Sequence, residues 1–164
     1  MRATAEKIVN VTMAREWVQA WKSRGEKVVF TNGCFDILHL GHVDYLEKAR
    51  QLGDKLVLGL NTDRSVRKLK GNQRPVVEQG ARARVMAALS FVDLVVLFDE
   101  DTPKWLIETL VPDILVKGDD YALQSIVGAD FVIRNGGSVQ TVSLVKGFST
   151  TNLIEKIKTL DSIS

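Results

Sequence analysis

Short runs of consecutive apolar residues, separated by helical patterns, limit this sequence to a small set of folds. Four runs lie at 27–31, 56–60, 94–97 and 114–116, and 139–144 is a fifth candidate. Consecutive apolar positions are typical of strands that are covered on both faces. Around these runs lie segments whose apolar residues have helical spacing, at 13–22, 43–52, 79–90, 103–110, 124–135 and 150–158. This alternation predicts an α/β fold with a doubly wound, mostly parallel five-stranded sheet and helices on both faces.

The length and composition fit one domain of this kind. The chain has 164 residues, a formal net charge of +2 and a single cysteine. We expect a single-domain, Rossmann-like unit at 26–164, with 1–25 as an N-terminal helical extension packed on it. No apolar run approaches the ~20 residues that span a bilayer, and the small charge gives no general attraction to nucleic acid. We therefore expect neither membrane nor nucleic acid as a partner, and because Cys34 has no second cysteine to pair with, we expect a reducing, cytoplasmic location.

Both histidines of the chain lie in the segment 31–42, which follows the first apolar run. His39 and His42 are three residues apart around Gly41, at the start of a predicted helix. Residues at this spacing share one helix face, so both imidazoles can face one ligand. Glycine lets an anion approach the backbone, and the helix N-terminus adds free N–H groups and partial positive charge. The segment therefore predicts an anion-binding site.

Other interpretations of this segment stay open. In the simplest interpretation the two histidines only cap the helix. A zinc site would need further ligands, and Cys34 and Asp36 offer no recognised spacing. A Cys34 thiolate at a helix N-terminus would be an activated nucleophile, although a lone cysteine is more often a small buried residue. The sequence contains neither of the usual glycine-rich phosphate loops, so a phosphate ligand would need a different cradle.

Motifs at several places along the chain carry a family resemblance. The segments Gly33–Asp36, His39–His42, Lys117–Tyr121 and Phe148–Thr151 resemble those of the cytidylyltransferase-like nucleotidyltransferase superfamily over 27–158. Within it, the set is most similar to the adenylyltransferases that act on D-glycero-β-D-manno-heptose 1-phosphate in ADP-heptose synthesis. The resemblance implies direct in-line transfer of AMP from ATP to a sugar 1-phosphate. A cytidylyltransferase for glycerol 3-phosphate or another small phosphate, and a nucleotide sensor without catalysis, are the alternatives.

The resemblance also implies roles for individual residues. The expected catalytic residues are His39, His42, Lys68 and Lys70. The expected nucleotide-binding residues are Asn32, Gly33, Cys34, Phe35, Gly41, Lys117, Asp119, Ser149, Thr150 and Thr151. The expected acceptor-binding residues are Asp36, Asn61 and Asp63. We expect Mg²⁺ to arrive on the ATP phosphates without protein ligands. The expected partners are ATP and a sugar 1-phosphate, and a homodimer is left open.

A basic stretch lies between Arg64 and Arg84, where Glu78 is the single acidic residue. Such a stretch is usually a solvated face or an interaction patch. Here it follows the second predicted strand, so its lysines can reach the carboxyl edge of the sheet. We expect the loop 69–77 to close over bound phosphates.

Overall fold

Each of the five predicted strands is present in the computed structural model, which describes residues 3–161. The strands are β1 (Ile8–Val9), β2 (Val28–Gly33), β3 (Lys55–Asn61), β4 (Leu94–Phe98), β5 (Ile114–Gly118) and β6 (Ser138–Val142). The helices are α1 (Val11–Ser23), α2 (Leu40–Gln51), α3 (Asp63–Lys70), α4 (Gln79–Ala88), α5 (Lys104–Leu110), α6 (Ala129–Arg134) and α7 (Thr150–Asp161). Short 3₁₀ helices occur at Thr4–Lys7 and Leu123–Ser125.

The strands form one parallel sheet in the order β1-β4-β3-β2-β5-β6. From β2 the chain moves outward through β3 to β4, and it then returns to the other side of β2 to form β5 and β6. The chain therefore leaves β2 and β5, which are neighbours, in opposite directions. Such a change of direction opens a crevice at the carboxyl ends of the two strands, where ligands bind in doubly wound folds.

Alternate side chains of each strand enter two separate cores, one on each face of the sheet. Val28 and Phe30 of β2 pack in the core that α1, α5 and α6 cover. Val29 between them packs in the core that α2 and α4 cover. This alternation explains the consecutive apolar runs, because both faces of the central strands are buried. The predicted doubly wound fold with helices on both faces is confirmed.

The sheet has six strands, where the sequence pattern predicted five. The additional one is β1, whose Ile8 and Val9 pair with Val95 and Val96 of β4 at the edge of the sheet. Two residues are too short for an apolar run to stand out. The helix predicted at 124–135 is also shorter, because α6 occupies only its second half.

The basic stretch also contains a helix, α3, that the apolar pattern did not indicate. Of its residues only Ser65 and Val66 are buried, so it has almost no apolar face. The Thr62 hydroxyl caps it by accepting a hydrogen bond from the Ser65 amide at 3.2 Å. Within the described chain no helix is both long and apolar enough to cross a membrane.

Candidate active site

The carboxyl edge of the sheet opens into a cavity of about 630 Å³. Its walls come from the loop after β2, the start of α2, the end of α3 and the segment that follows it. The loops after β4 and β5 and the N-terminus of α7 complete it. The cavity therefore lies over the crevice between β2 and β5, where the fold alone predicts a ligand.

The two histidines stack at the mouth of α2. His39 directly precedes the helix and His42 lies in its first turn. Their ring centroids are 3.7 Å apart, with 26° between the ring planes. The Nδ1 atom of each ring is buried, and neither has a hydrogen-bond partner within residues 3–161. A neutral imidazole carries one N–H and one acceptor nitrogen, so each ring keeps hydrogen-bonding capacity that the described protein does not use at Nδ1.

Both imidazoles are held neutral at physiological pH. Burial lowers the pKa of His39. Burial and the adjacent His39 ring lower the pKa of His42 to about 4, against an opposing effect of the Asp36 carboxylate. The pair is therefore a set of neutral donors. A polyanion could bind to the two rings without first displacing a counter-ion from them.

Phe35 and two glycines shape the floor beside the histidines. Phe35 has a left-handed backbone (φ 43°), which is rare for an aromatic residue and costs about 1–3 kcal/mol. Its ring meets His42 edge-on at 5.0 Å and lies over Gly33, where a Cβ would be 2.8 Å from the ring. At Gly41 a Cβ would be 3.0 Å from the His39 ring and 3.3 Å from the Phe148 carbonyl oxygen. Glycine at 33 and 41 thus lets aromatic rings pack against the backbone.

The N-terminus of α7 meets the N-terminus of α2 at this point. The Ser149 hydroxyl accepts a hydrogen bond from the Asn152 amide at 3.1 Å, so Ser149 caps α7. Thr150 is buried at the first position of the helix. Residues at both helix starts line the cavity, and a helix N-terminus carries partial positive charge that favours an anion.

Lys117 supplies a buried cation at the end of β5. Its Nζ donates a hydrogen bond to Asn32 Oδ1 at 2.5 Å and lies 5.5 Å from the centre of the Tyr121 ring. Burial lowers the pKa of Lys117 to about 8, although Asp120 and Cys34 act in the opposite direction. The ammonium group is therefore still mostly charged at pH 7.

Asp36 holds the segment that follows α3 beside the cavity. Its side chain is 0% exposed and accepts hydrogen bonds from Arg74 Nε at 2.5 Å, the Val76 amide at 2.9 Å and the Val77 amide at 2.8 Å. Burial would raise the pKa of Asp36, but the amides of Val77 and Val76 and the Arg74 guanidinium outweigh it and lower the pKa. The loop expected to close at 69–77 begins inside α3, which ends at Lys70, and its residues 74–77 are held by this carboxylate.

Buried Arg82 connects the segments that follow β2, β3 and α3. Its side chain is fully buried, and Nη1 donates to the carbonyl oxygens of Cys34 at 2.6 Å and Asn61 at 2.9 Å. Nη2 donates to Asp63 Oδ1 at 2.7 Å, and Nε donates to the Val77 carbonyl at 2.9 Å. In the sequence this arginine is one of the cations of the basic stretch between Arg64 and Arg84, and the pattern does not indicate its burial.

All but three of the predicted site residues line the cavity. The predicted residues in its wall are Asn32, Gly33, Cys34, Phe35, Asp36, His39, Gly41, His42, Asn61, Lys70, Lys117, Ser149, Thr150 and Thr151. Lys68 lies outside, where its Nζ contacts Asp101 Oδ1 at 2.9 Å. Asp63 pairs with Arg82, and Asp119 accepts a hydrogen bond from the Leu144 amide at 3.3 Å.

Several residues in and around the cavity were not singled out in the sequence. Tyr45 donates to the Val116 carbonyl at 3.2 Å and shares a 2.6 Å hydrogen bond with Thr31. Tyr45, Arg74 and Tyr121 line the cavity. Tyr121 falls inside a motif that carried the resemblance, whereas nothing in the sequence marks Arg74 among its basic neighbours. In the described part of the chain, no three His, Cys, Asp or Glu side chains gather as metal ligands.

Comparison with known proteins identifies the family. Residues 30–156 match the sequence profile of the Cytidylyltransferase-like family. The chain belongs to this family. The bifunctional protein HldE of Magnetococcus marinus is 58% identical over 153 residues, covering 93% of this chain and 31% of HldE. The HldE of Syntrophotalea carbinolica is 59% identical over 143 residues, which cover 87% of this chain and 29% of that protein. The chain thus spans about a third of the length of these curated relatives.

Solved structures of two proteins have the same fold. The lipopolysaccharide core biosynthesis protein of Thermoplasma volcanium is 30% identical with a TM-score of 0.61, over 76% of this chain and 100% of that one. The pantothenate synthetase of Thermus thermophilus is 18% identical with a TM-score of 0.64, and the match covers 93% of this chain and 70% of that one. At this identity the similarity concerns the fold alone. The family resemblance seen in the motifs is confirmed, and the chain is a cytidylyltransferase-like nucleotidyltransferase.

Proposed function

We propose that this nucleotidyltransferase transfers AMP from ATP to D-glycero-β-D-manno-heptose 1-phosphate, giving ADP-heptose and pyrophosphate. The motif resemblance suggests these substrates, and the similarity to HldE proteins and to a lipopolysaccharide core biosynthesis protein agrees with them. ATP enters as its Mg²⁺ complex, in which the ion is held by phosphate oxygens and water.

The stacked histidine pair is the observation that carries this proposal. Two neutral imidazoles with unpartnered nitrogens lie at a helix N-terminus, inside a cavity that also holds the Lys117 cation. This donor set suits a polyphosphate, whose negative charge it can stabilise. Each ring would donate its N–H to an oxygen of the α-phosphate, where charge accumulates in the pentavalent transition state.

The reaction needs no general base. The second pKa of a phosphomonoester is near ~6, so the acceptor phosphate is largely a dianion at neutral pH. One of its oxygens forms the new bond to the α-phosphorus, and the bond from that phosphorus to the bridging oxygen of the β-phosphate breaks. Both electrons of the broken bond leave with pyrophosphate. The protein therefore contributes alignment and positive donors.

A matrix of substrates tests the proposal. Four nucleoside triphosphates are each mixed with Mg²⁺ and a panel that includes heptose 1-phosphate, glucose 1-phosphate and glycerol 3-phosphate, and pyrophosphate is measured. We expect turnover with ATP and heptose 1-phosphate. Turnover with CTP and glycerol 3-phosphate would replace the proposal with the cytidylyltransferase alternative. Binding of ATP without pyrophosphate from any pair would indicate a sensor.

The variant His42→Asn tests the proposed role of the pair in the same assay. Loss of one charge-stabilising donor typically lowers the rate by about 10²- to 10³-fold. We expect that loss with an unchanged circular dichroism spectrum. Turnover near the wild-type rate would show that the imidazole pair does not stabilise the transition state.

A further inference from the structure

Arg74 differs from the other cations of the basic stretch in how it is held. Its side chain is 15% exposed, whereas that of Arg64 is 72% exposed. Its Nε donates to Asp36, and within residues 3–161 its terminal nitrogens Nη1 and Nη2 have no hydrogen-bond partner. Because Arg74 also lines the cavity, its guanidinium is fixed along one edge and offers the other edge to a ligand.

The backbone around Arg74 keeps this orientation. The amides of Val76 and Val77 donate to the same Asp36 carboxylate, and the Val77 carbonyl accepts from buried Arg82 at 2.9 Å. The guanidinium is therefore positioned before any ligand arrives, which reduces the entropy lost on binding. A guanidinium presents N–H donors in a planar fork that matches two phosphate oxygens.

The topology indicates which phosphate meets Arg74. Lys117 and the N-terminus of α7 lie on the side of β2 that carries β5 and β6. Arg74 lies on the opposite side, because Asp36 follows β2 and Arg82 ties its segment to Asn61 at the end of β3. In-line displacement places the attacking and leaving oxygens on opposite sides of the phosphorus. If pyrophosphate occupies the converging helix N-termini, the acceptor enters from the Arg74 side.

We propose that Arg74 determines acceptor specificity by binding the acceptor's phosphate, and that Asp36 is a positioning residue that acts through Arg74. The inference rests on the proposed function for the identity of the two substrates. It implies that only acceptors with a phosphate dianion are used, and that the sugar is selected by other contacts. Asp36, expected from sequence to touch the acceptor, would then do so only indirectly.

Equilibrium binding tests this assignment apart from catalysis. The protein is saturated with Mg²⁺ and α,β-methylene-ATP, which fills the nucleotide side, and inorganic phosphate is titrated in a calorimeter. We expect Arg74→Gln to weaken phosphate binding by about 10- to 100-fold, as loss of a charge-assisted pair does. Asp36→Asn should weaken it similarly, and the double variant should be no weaker than Arg74→Gln. The control is Arg67→Gln, which removes an exposed charge of α3 that is outside the cavity.

Turnover kinetics and a second variant complete the test. We expect Arg74→Gln to raise KM for heptose 1-phosphate by the same factor while KM for ATP stays within about twofold. Arg74→Lys keeps a cation beside Asp36 if Arg74→Gln does not fold, and it should still weaken phosphate binding because it lacks the fork. Unchanged phosphate affinity in Arg74→Gln, or a rise in KM for ATP alone, would overturn the inference. Phosphate binding that depends on Arg74 in a protein without heptose turnover would uphold it and refute the proposed function.

Discussion

The low pKa of His42 makes a prediction about how acid unfolds the protein. Unfolded histidine has a pKa of 6.5, whereas that of folded His42 is about 4. Between these values the unfolded chain binds a proton that the folded chain does not. The free energy of unfolding should therefore fall as the pH falls from 6.5 to about 4. Since one pH unit corresponds to about 1.4 kcal/mol for one proton, His42 alone accounts for ~3 kcal/mol across this window.

Urea denaturation of the wild type and His42→Asn at pH values from 7 to 4 measures this effect. We expect the variant to lose ~3 kcal/mol less than the wild type over that range, whatever its stability at pH 7. The lowered pKa of Asp36 acts in a separate window, below its ordinary value of 3.8, and does not interfere. His39→Asn serves as a comparison, because it removes the neighbouring ring that helps to lower the pKa of His42, so part of the pH-dependent loss should disappear in this variant too.

Parallel loss of stability in the wild type and His42→Asn would refute the reasoning. A direct measurement is also available, because the chain has only two histidines and their ring protons can be assigned from single variants. An NMR titration of the free protein that placed His42 at 6.5 or above would show that the ring is charged in weak acid. The imidazole pair would then not be a neutral donor set.

Three other predictions concern residues around the histidines. Because the pKa of Lys117 is about 8, kcat/KM for ATP should fall as the pH rises through 8, and Lys117→Arg should remove this limb if the side chain is accommodated. Gly41→Ala places a Cβ 3.0 Å from the His39 ring, so it should lower the rate of pyrophosphate release by about 10- to 100-fold, with little change in the melting temperature. Tyr45→Phe removes the 2.6 Å hydrogen bond to buried Thr31, so chemical denaturation should show a loss of ~1 kcal/mol, while KM for ATP stays unchanged.

The fold could be predicted from sequence wherever one feature was repeated over several residues. The runs that became β2 to β5 stand out because both faces of those strands are buried. By contrast, α3 has a capping threonine and a single buried apolar residue, Val66, so no apolar period marks it. Strand β1 has only two residues, and its pairing with β4 depends on a contact between distant parts of the chain.

Part of the candidate site could likewise be predicted from the sequence and part could not. The residues from Asn32 to His42 lie in one continuous segment, so the sequence alone brings the histidines and Phe35 together. Arg74 and Arg82 look alike in the basic stretch, yet one borders the cavity and the other is fully buried. Their different positions depend on distant partners, because Asp36 is 38 residues from Arg74, and Asp63 and Cys34 are 19 and 48 residues from Arg82. Spacing within a motif cannot indicate such partners.

The buried position of Arg82 has a consequence for the interpretation of mutants. Its guanidinium hydrogen-bonds the backbone carbonyls of Cys34, Asn61 and Val77 and the Asp63 carboxylate, and so joins three segments of the chain, although it does not line the cavity itself. Replacing it would loosen these three segments at once, and substrate affinity would decline without the loss of any direct contact. A screen that scored activity alone would therefore mistake this structural residue for one that binds substrate.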